Sequence, residues 1–87
     1  MKTTFTLEAF EEYVKWGNTD RKKFNKIADL IKNIEREGLL KGLGHPEKLK
    51  HKRGYTREID KFNRLEYDMD EYGNLEIISC KGHHDDK

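Results

Sequence analysis

The residues Phe24, Ile27, Ala28, Leu30, Ile31 and Ile34 recur at three- and four-residue steps, which sets them along one side of a helix. A stripe of that width needs an apolar surface to lie against, so the rest of the chain must build one. Thr19-Asp20 offers a start for this helix, and Gly38, after Arg36-Glu37, offers a left-handed stop. Upstream, Thr6 can cap an earlier helix with Glu8 in its first turn. Phe10, Tyr13, Val14 and Trp16 or Gly17 form its apolar side, and Gly17-Asn18 ends it. The two helices are expected to form a hairpin joined by a tight turn.

The matching surface has to come from strands. Lys2–Thr6 is rich in β-branched residues, Tyr55–Asp60 and Phe62–Met69 alternate, and Leu75–Cys80 is the most apolar run. Asp70-Glu71-Tyr72-Gly73-Asn74 joins the last two as a hairpin turn. Between Gly38 and Gly54 the pattern breaks into a glycine-punctuated, lysine-rich loop. The order β-α-α-β-β-β implies an α+β fold, two N-terminal helices on one face of a small, mostly antiparallel sheet. Eighty-seven residues suffice for one small domain, 1–87, with a thin core. A charged share of 40% against 33% hydrophobic leans towards disorder, but a 10% aromatic share and the regular apolar spacing favour a folded unit.

The net charge of +1 hides a polarised chain. Residues 41–64 hold eight Lys/Arg against three Asp/Glu, whereas residues 65–87 hold two against seven. A cationic middle on a near-neutral protein fits a local anion-binding surface, with a phosphate backbone as the commonest partner. A basic loop paired with the acidic end of the same chain explains the counts equally well. No run approaches the roughly 18 apolar residues of a membrane span, and Met1–Thr4 leads into no signal-peptide core. Cys80 is the lone cysteine, so no intrachain disulfide forms and a reducing, cytoplasmic address is expected.

Four features carry candidate chemistry. Glu47 lies among His45, Lys48 and Lys50, where a carboxylate can accept a proton; an ordinary loop salt bridge is the plainer alternative. Arg64 stands in an alternating strand, where a guanidinium can grip a phosphate through two parallel hydrogen bonds or simply pair with a nearby acid. His83-His84 follows the last strand, and a histidine beside a phosphodiester can protonate a leaving oxygen. A polar tail, or a metal site built from Cys80, His83, His84 and Asp85, are the alternatives; one such cluster is too little for a closed zinc site, and no metal or other cofactor is expected. Tyr55 and Phe62 near the basic loop could stack bases, or belong to the core. Together, Glu47, Arg64 with Lys50, and His83 are the types needed to take a proton from a ribose 2′-hydroxyl, stabilise a phosphorane and protonate the 5′-oxygen.

These residues also match a known pattern. Lys26-Ile27-Ala28-Asp29-Leu30-Ile31-Lys32-Asn33-Ile34, Gly42-Leu43-Gly44-His45-Pro46-Glu47-Lys48-Leu49-Lys50, Asn63-Arg64-Leu65-Glu66-Tyr67 and Cys80-Lys81-Gly82-His83 resemble the YoeB/Txe toxins of the RelE-like superfamily. The resemblance runs in order along essentially the whole chain. It implies a small twisted sheet with two N-terminal helices, and a ribosome-dependent mRNA endonuclease that cuts the A-site codon without a cofactor. It implies a YefM/Axe-like antitoxin as partner, operator DNA reached only through the antitoxin complex, and it admits a homodimer. By motif, Glu47 is the general base, Arg64 the phosphate-stabilising group, His83 the general acid, and His84 stands where the family has an aromatic. Lys48, Lys50, Lys52, Arg53, Arg57 and Tyr55 are the expected RNA contacts.

Four departures from the family pattern bear on activity. Thr56-Arg57-Glu58-Ile59 stands where the family usually reads Ser-Arg-Arg-Ile, so Glu58 replaces an arginine. Arg57 cannot substitute for it, because strand neighbours face opposite ways. His84 replaces the closing tyrosine, and Asp85-Asp86-Lys87 brings two further carboxylates. Glu66 falls where an aliphatic residue is expected, which points to an exposed strand face or a local partner. These changes raise a second reading, a weakened or inactive relative that binds RNA, ribosome or antitoxin and acts in regulation.

Overall fold

A computed structural model describes residues 1–82. Its elements are β1 (Thr3–Phe5), α1 (Leu7–Thr19), α2 (Arg21–Glu37), β2 (Glu47–Lys48), β3 (Tyr55–Glu58), β4 (Arg64–Met69) and β5 (Leu75–Ser79). The five strands form one sheet in the order β1-β5-β4-β3-β2. β1 runs parallel to β5, and every other pairing is antiparallel. The α+β class and the two helices on a small, mostly antiparallel sheet match the sequence reading; the added strand is the two-residue β2 inside the expected loop.

Local chemistry explains the helix ends. Thr6 caps α1 by accepting the Ala9 N–H at 3.0 Å. Asp20 then serves both helices: its N–H donates to the Trp16 carbonyl at 2.8 Å, and its carboxylate accepts the Lys23 N–H at 3.3 Å. One residue therefore turns the chain from α1 into α2. Contrary to expectation, α1 runs past Gly17 to Thr19. A side chain at Gly17 would press on the Phe24 ring, whose nearest atoms lie 3.1 Å from where its Cβ would stand, so this glycine serves helix packing and not termination.

The core joins Ala9 of α1, Ile27, Leu30 and Ile34 of α2, and Leu65, Tyr67, Leu75, Ile77 and Cys80 from the sheet side, with Ile59. The face of α1 differs from the sequence reading. Ala9 is fully buried, with Tyr13 and Trp16 packed against the core, whereas Phe10 and Val14 are exposed. The small Ala9 lets the helix lie close to β5, which turns Leu7, Phe10 and Val14 outward. Between Glu66 and Tyr67 the β4–β5 register slips by one residue.

Hydrogen bonds at Cys80 and Gly82 hold the chain beyond β5. Glu12 accepts the Cys80 N–H at 2.7 Å, and the Trp16 indole donates to the Cys80 carbonyl at 2.8 Å. Gly82 donates its N–H to the Asn63 side chain at 2.9 Å and accepts the Arg64 N–H at 2.9 Å. The chain is thus tied beside the first residue of β4 as far as Gly82.

Candidate active site on the open face of the sheet

Register places the site. Glu58 lies opposite Arg64, Thr56 opposite Glu66, and Glu47 opposite Thr56. Because strand side chains alternate, Glu47, Glu58, Arg64, Glu66 and Asp68 share one face, and Tyr55, Arg57, Leu65 and Tyr67 share the other, which packs on the core. Arg64 sits between two acids: Nη1 donates to Glu47 Oε1 at 3.3 Å, and Nη2 lies 3.8 Å from Glu58 Oε2. Only 18% of the Arg64 side chain is exposed, against 66% for Glu47. A partly sheltered cation beside an open carboxylate can bind an anionic oxygen while the acid accepts a proton next to it.

Beneath this face, Arg57 holds the loop that leads to Glu47. Its side chain is fully buried, and each of its five N–H groups has an acceptor. Nε donates to Tyr67 Oη at 2.9 Å; Nη1 donates to Asn33 Oδ1 at 2.7 Å and the Leu43 carbonyl at 2.9 Å; Nη2 donates to the Gly38 and Lys41 carbonyls at 2.8 and 2.6 Å. The Tyr67 hydroxyl in turn donates a hydrogen bond to the Leu39 carbonyl at 2.6 Å, and burial pushes this phenol above its usual value. A cation just past the end of α2 also complements the negative end of that helix. Gly42 and Gly44 let the loop settle on this knot. Both have positive φ, of 108° and 83°, and a Cβ on Gly42 would overlap the Asn33 side chain. Gly44 then accepts the Glu58 N–H at 2.7 Å, which seats the loop on β3 just ahead of Glu47.

The expected RNA contacts divide accordingly. Arg57 is corrected: it is an internal strut with no donor left for a ligand. Tyr55 is corrected as well: its half-buried ring stacks on Tyr67 at 5.8 Å, on the side of the sheet away from Arg64. Lys48 lies over that same ring, 5.6 Å from its centroid. Lys52 and Arg53 reach the Arg64 face but are matched there by Glu66 at 3.4 Å and Asp68 at 3.5 Å. Glu66 is buried, so its role is the local partner and not the exposed strand face. Lys50 is exposed and makes no ion pair among the described residues. Phe62 falls in the β3–β4 turn and not in a strand, where Asp60 Oδ1 accepts the Phe62 and Asn63 N–H groups at 2.7 Å each and leaves the ring 70% exposed.

His83 and His84 lie outside the described residues; the nearest described residue, Gly82, is bonded to the Arg64 N–H. Cys80 is buried, and burial together with the Glu12 carboxylate pushes its thiol up to about 12, which keeps it protonated. Asn33 and Tyr67 are the supporting residues that sequence reasoning missed. Asn33 could have been found as the one polar residue between Leu30 and Ile34 on the apolar side of α2.

The chain matches known proteins along nearly its whole length. Residues 5–84 match the family model described as the YoeB-like toxin of bacterial type II toxin–antitoxin systems. Toxin YoeB of Streptomyces coelicolor is 40% identical over 86 residues, covering 97% of this chain and all of that one. The YoeB dimer from Staphylococcus aureus superposes with a TM-score of 0.89 at 42% identity, covering 97% of this chain and 98% of that one. A YoeB–YefM complex from the same organism gives 0.87 at 40% identity, with the same coverage. With the family pattern matched nearly end to end in both sequence and fold, this chain belongs to the YoeB-like toxins of bacterial type II toxin–antitoxin systems.

Proposed function

We propose that this toxin is an RNA endonuclease that cuts mRNA in the ribosomal A site by general acid–base catalysis. The observation that carries the reading is the Glu47–Arg64 contact at 3.3 Å, with Gly82 hydrogen-bonded to the backbone of the same arginine. In the proposed reaction Glu47 takes the proton of the ribose 2′-hydroxyl, whose oxygen attacks the adjacent phosphorus. Arg64, assisted by Lys50, stabilises the charge on the phosphorane. The bond to the 5′-oxygen breaks, and that oxygen leaves with a proton from His83, giving a 2′,3′-cyclic phosphate and a 5′-hydroxyl. His84 would supply the flat ring that packs against a base. Lys52 and Arg53 border the RNA path and must exchange Glu66 and Asp68 for phosphates; Lys48, over the Tyr55 ring, stands off that path.

The same reading supplies the partners. A YefM-like antitoxin binds and silences the protein, supported by the Staphylococcus aureus complex, and contact with operator DNA runs through that assembly. A homodimer has a counterpart in the Staphylococcus aureus dimer. The working place is the translating ribosome, and so the cytoplasm; no described helix is long and apolar enough to cross a membrane. One observation favours the second, regulatory reading: Glu58 lies 3.8 Å from the arginine meant for phosphate. Primer extension on a defined mRNA held in purified ribosomes, with EDTA present, tests the nuclease. Cuts confined to the A-site codon and lost in Glu47→Ala are expected. No cuts from a folded protein that still binds ribosomes would leave the regulatory reading in its place.

A further inference from the structure

Glu58 faces Arg64 directly across the β3–β4 ladder, and Arg64 is its only ion-pair partner among the described residues. The guanidinium is flanked on both of its terminal nitrogens, by Glu47 and by Glu58, so the three side chains together carry one negative charge. Both acids are more exposed than the cation they flank, at 66% and 42% of their side chains against 18%. A phosphate can therefore engage both nitrogens of Arg64 only by taking a carboxylate's place. The two contacts are unequal. Glu47 is within hydrogen-bonding range, whereas Glu58 makes a charge contact without a hydrogen bond. Glu58 is the one that yields.

We infer that Glu58 is a built-in competitor for the substrate phosphate. It occupies the Nη2 side of Arg64 in the free protein and must be displaced before a phosphodiester is gripped through two bonds. Glu58 is thereby a specificity-determining residue that weakens binding to RNA at large. It favours RNA whose phosphate is already held in place, as in a message threaded through a ribosome, where local concentration overcomes the competing acid. This inference rests on the reading of Arg64 as the phosphate-binding group, but not on cleavage taking place.

Binding tests it separately from catalysis. The probe is a fluorescein-labelled RNA oligonucleotide made uncleavable by 2′-deoxy substitution, titrated with the full chain at low salt and read by anisotropy. Replacing Glu58 by the isosteric glutamine removes the like charge near the phosphate and is expected to tighten binding about fivefold. In an Arg64→Ala background the same change should gain nothing, because no guanidinium is left to compete for. Equal affinities for wild type and Glu58→Gln overturn the inference. A gain of the same size without Arg64 also overturns it, since that would be removal of bulk charge. If Glu58→Gln melts earlier than wild type, Glu58→Thr, suited to a strand, takes its place with the same two outcomes. A protein that binds as expected and never cuts would sink the nuclease reading alone.

Discussion

Asn33 Oδ1 accepts two hydrogen bonds, from Arg57 Nη1 at 2.7 Å and from the Leu43 N–H at 2.9 Å, so one atom of α2 joins β3 to the loop ahead of Glu47. Replacing Asn33 by leucine keeps the branched outline and leaves two buried donors short of an acceptor, one of them charged. A loss of about 2–3 kcal/mol is expected from such a break. Urea unfolding should record it as a lower midpoint at unchanged slope. A variant as stable as wild type would mean that the loop finds other acceptors.

The proposed chemistry at the open face divides between two groups that can be removed separately. Glu47→Ala should lower single-turnover cleavage on ribosomes by about 10²–10⁴-fold, the usual worth of a positioned base. Arg64→Lys keeps the charge and loses the planar fork, so cleavage should fall by about 10²-fold or more. Glu47 is largely exposed, so Glu47→Ala should melt close to wild type. A large drop in its melting temperature would recast the carboxylate as structural.

Cys80 offers a probe of opening. Burial first, and then the Glu12 carboxylate, push its thiol up to about 12, so at pH 8 it stays protonated and shielded. An aromatic disulfide reagent should leave the native protein unlabelled over minutes and react at once on adding guanidinium. Glu12→Gln removes the repelling charge and weakens the hold on the Cys80 N–H, and should speed native-state labelling. Fast labelling of native wild type would contradict the packing at the end of β5.

Asp60 ties the β3–β4 turn to acid stability. Burial raises its pKa, but hydrogen bonds from Phe62, Asn63 and Lys23 outweigh burial and hold it below the ordinary 3.8. A carboxylate lowered on folding stabilises the protein above its unfolded value, and that contribution disappears as pH falls through the folded value. Asp60→Asn should therefore cost about 1 kcal/mol at pH 7. The gap to wild type should close as pH falls through the folded value, which lies below the ordinary 3.8, since both then carry a neutral side chain. A gap independent of pH would assign the loss to turn geometry alone.

Much of the frame was legible because its signals are local. The three- and four-residue spacing marked α2, Asp20 marked its start, and the Asp70–Asn74 turn marked a hairpin. The motif reading named Glu47 and Arg64 for one reaction, and the fold pairs them at 3.3 Å across β2, β3 and β4. Arg57 was misread because a buried arginine and a ligand-binding one look alike in sequence; its neighbours Gly38, Lys41 and Leu43 lie 14 to 19 residues away and contribute only carbonyls. The buried side of α1 was misassigned because Ala9 is too small to stand out, while Phe10 and Val14 look like core. The parallel alignment of β1 with β5 left no local trace, since Thr3 meets Leu75 across nearly the whole chain.

That last pairing sets a timetable for the protein's own synthesis. β5 is the last of the described strands to emerge and lies between β1 and β4, so it completes the layer on both sides. A growing chain that stops before Leu75 has β1 with no neighbour and lacks Leu75, Ile77 and Cys80 from its core. Contacts this distant in sequence form late. The Gly82 tether to Arg64 comes later still, so a toxin interrupted in translation has an unfinished sheet and an unfinished site together. The sheet is whole only once Leu75–Ser79 has been made.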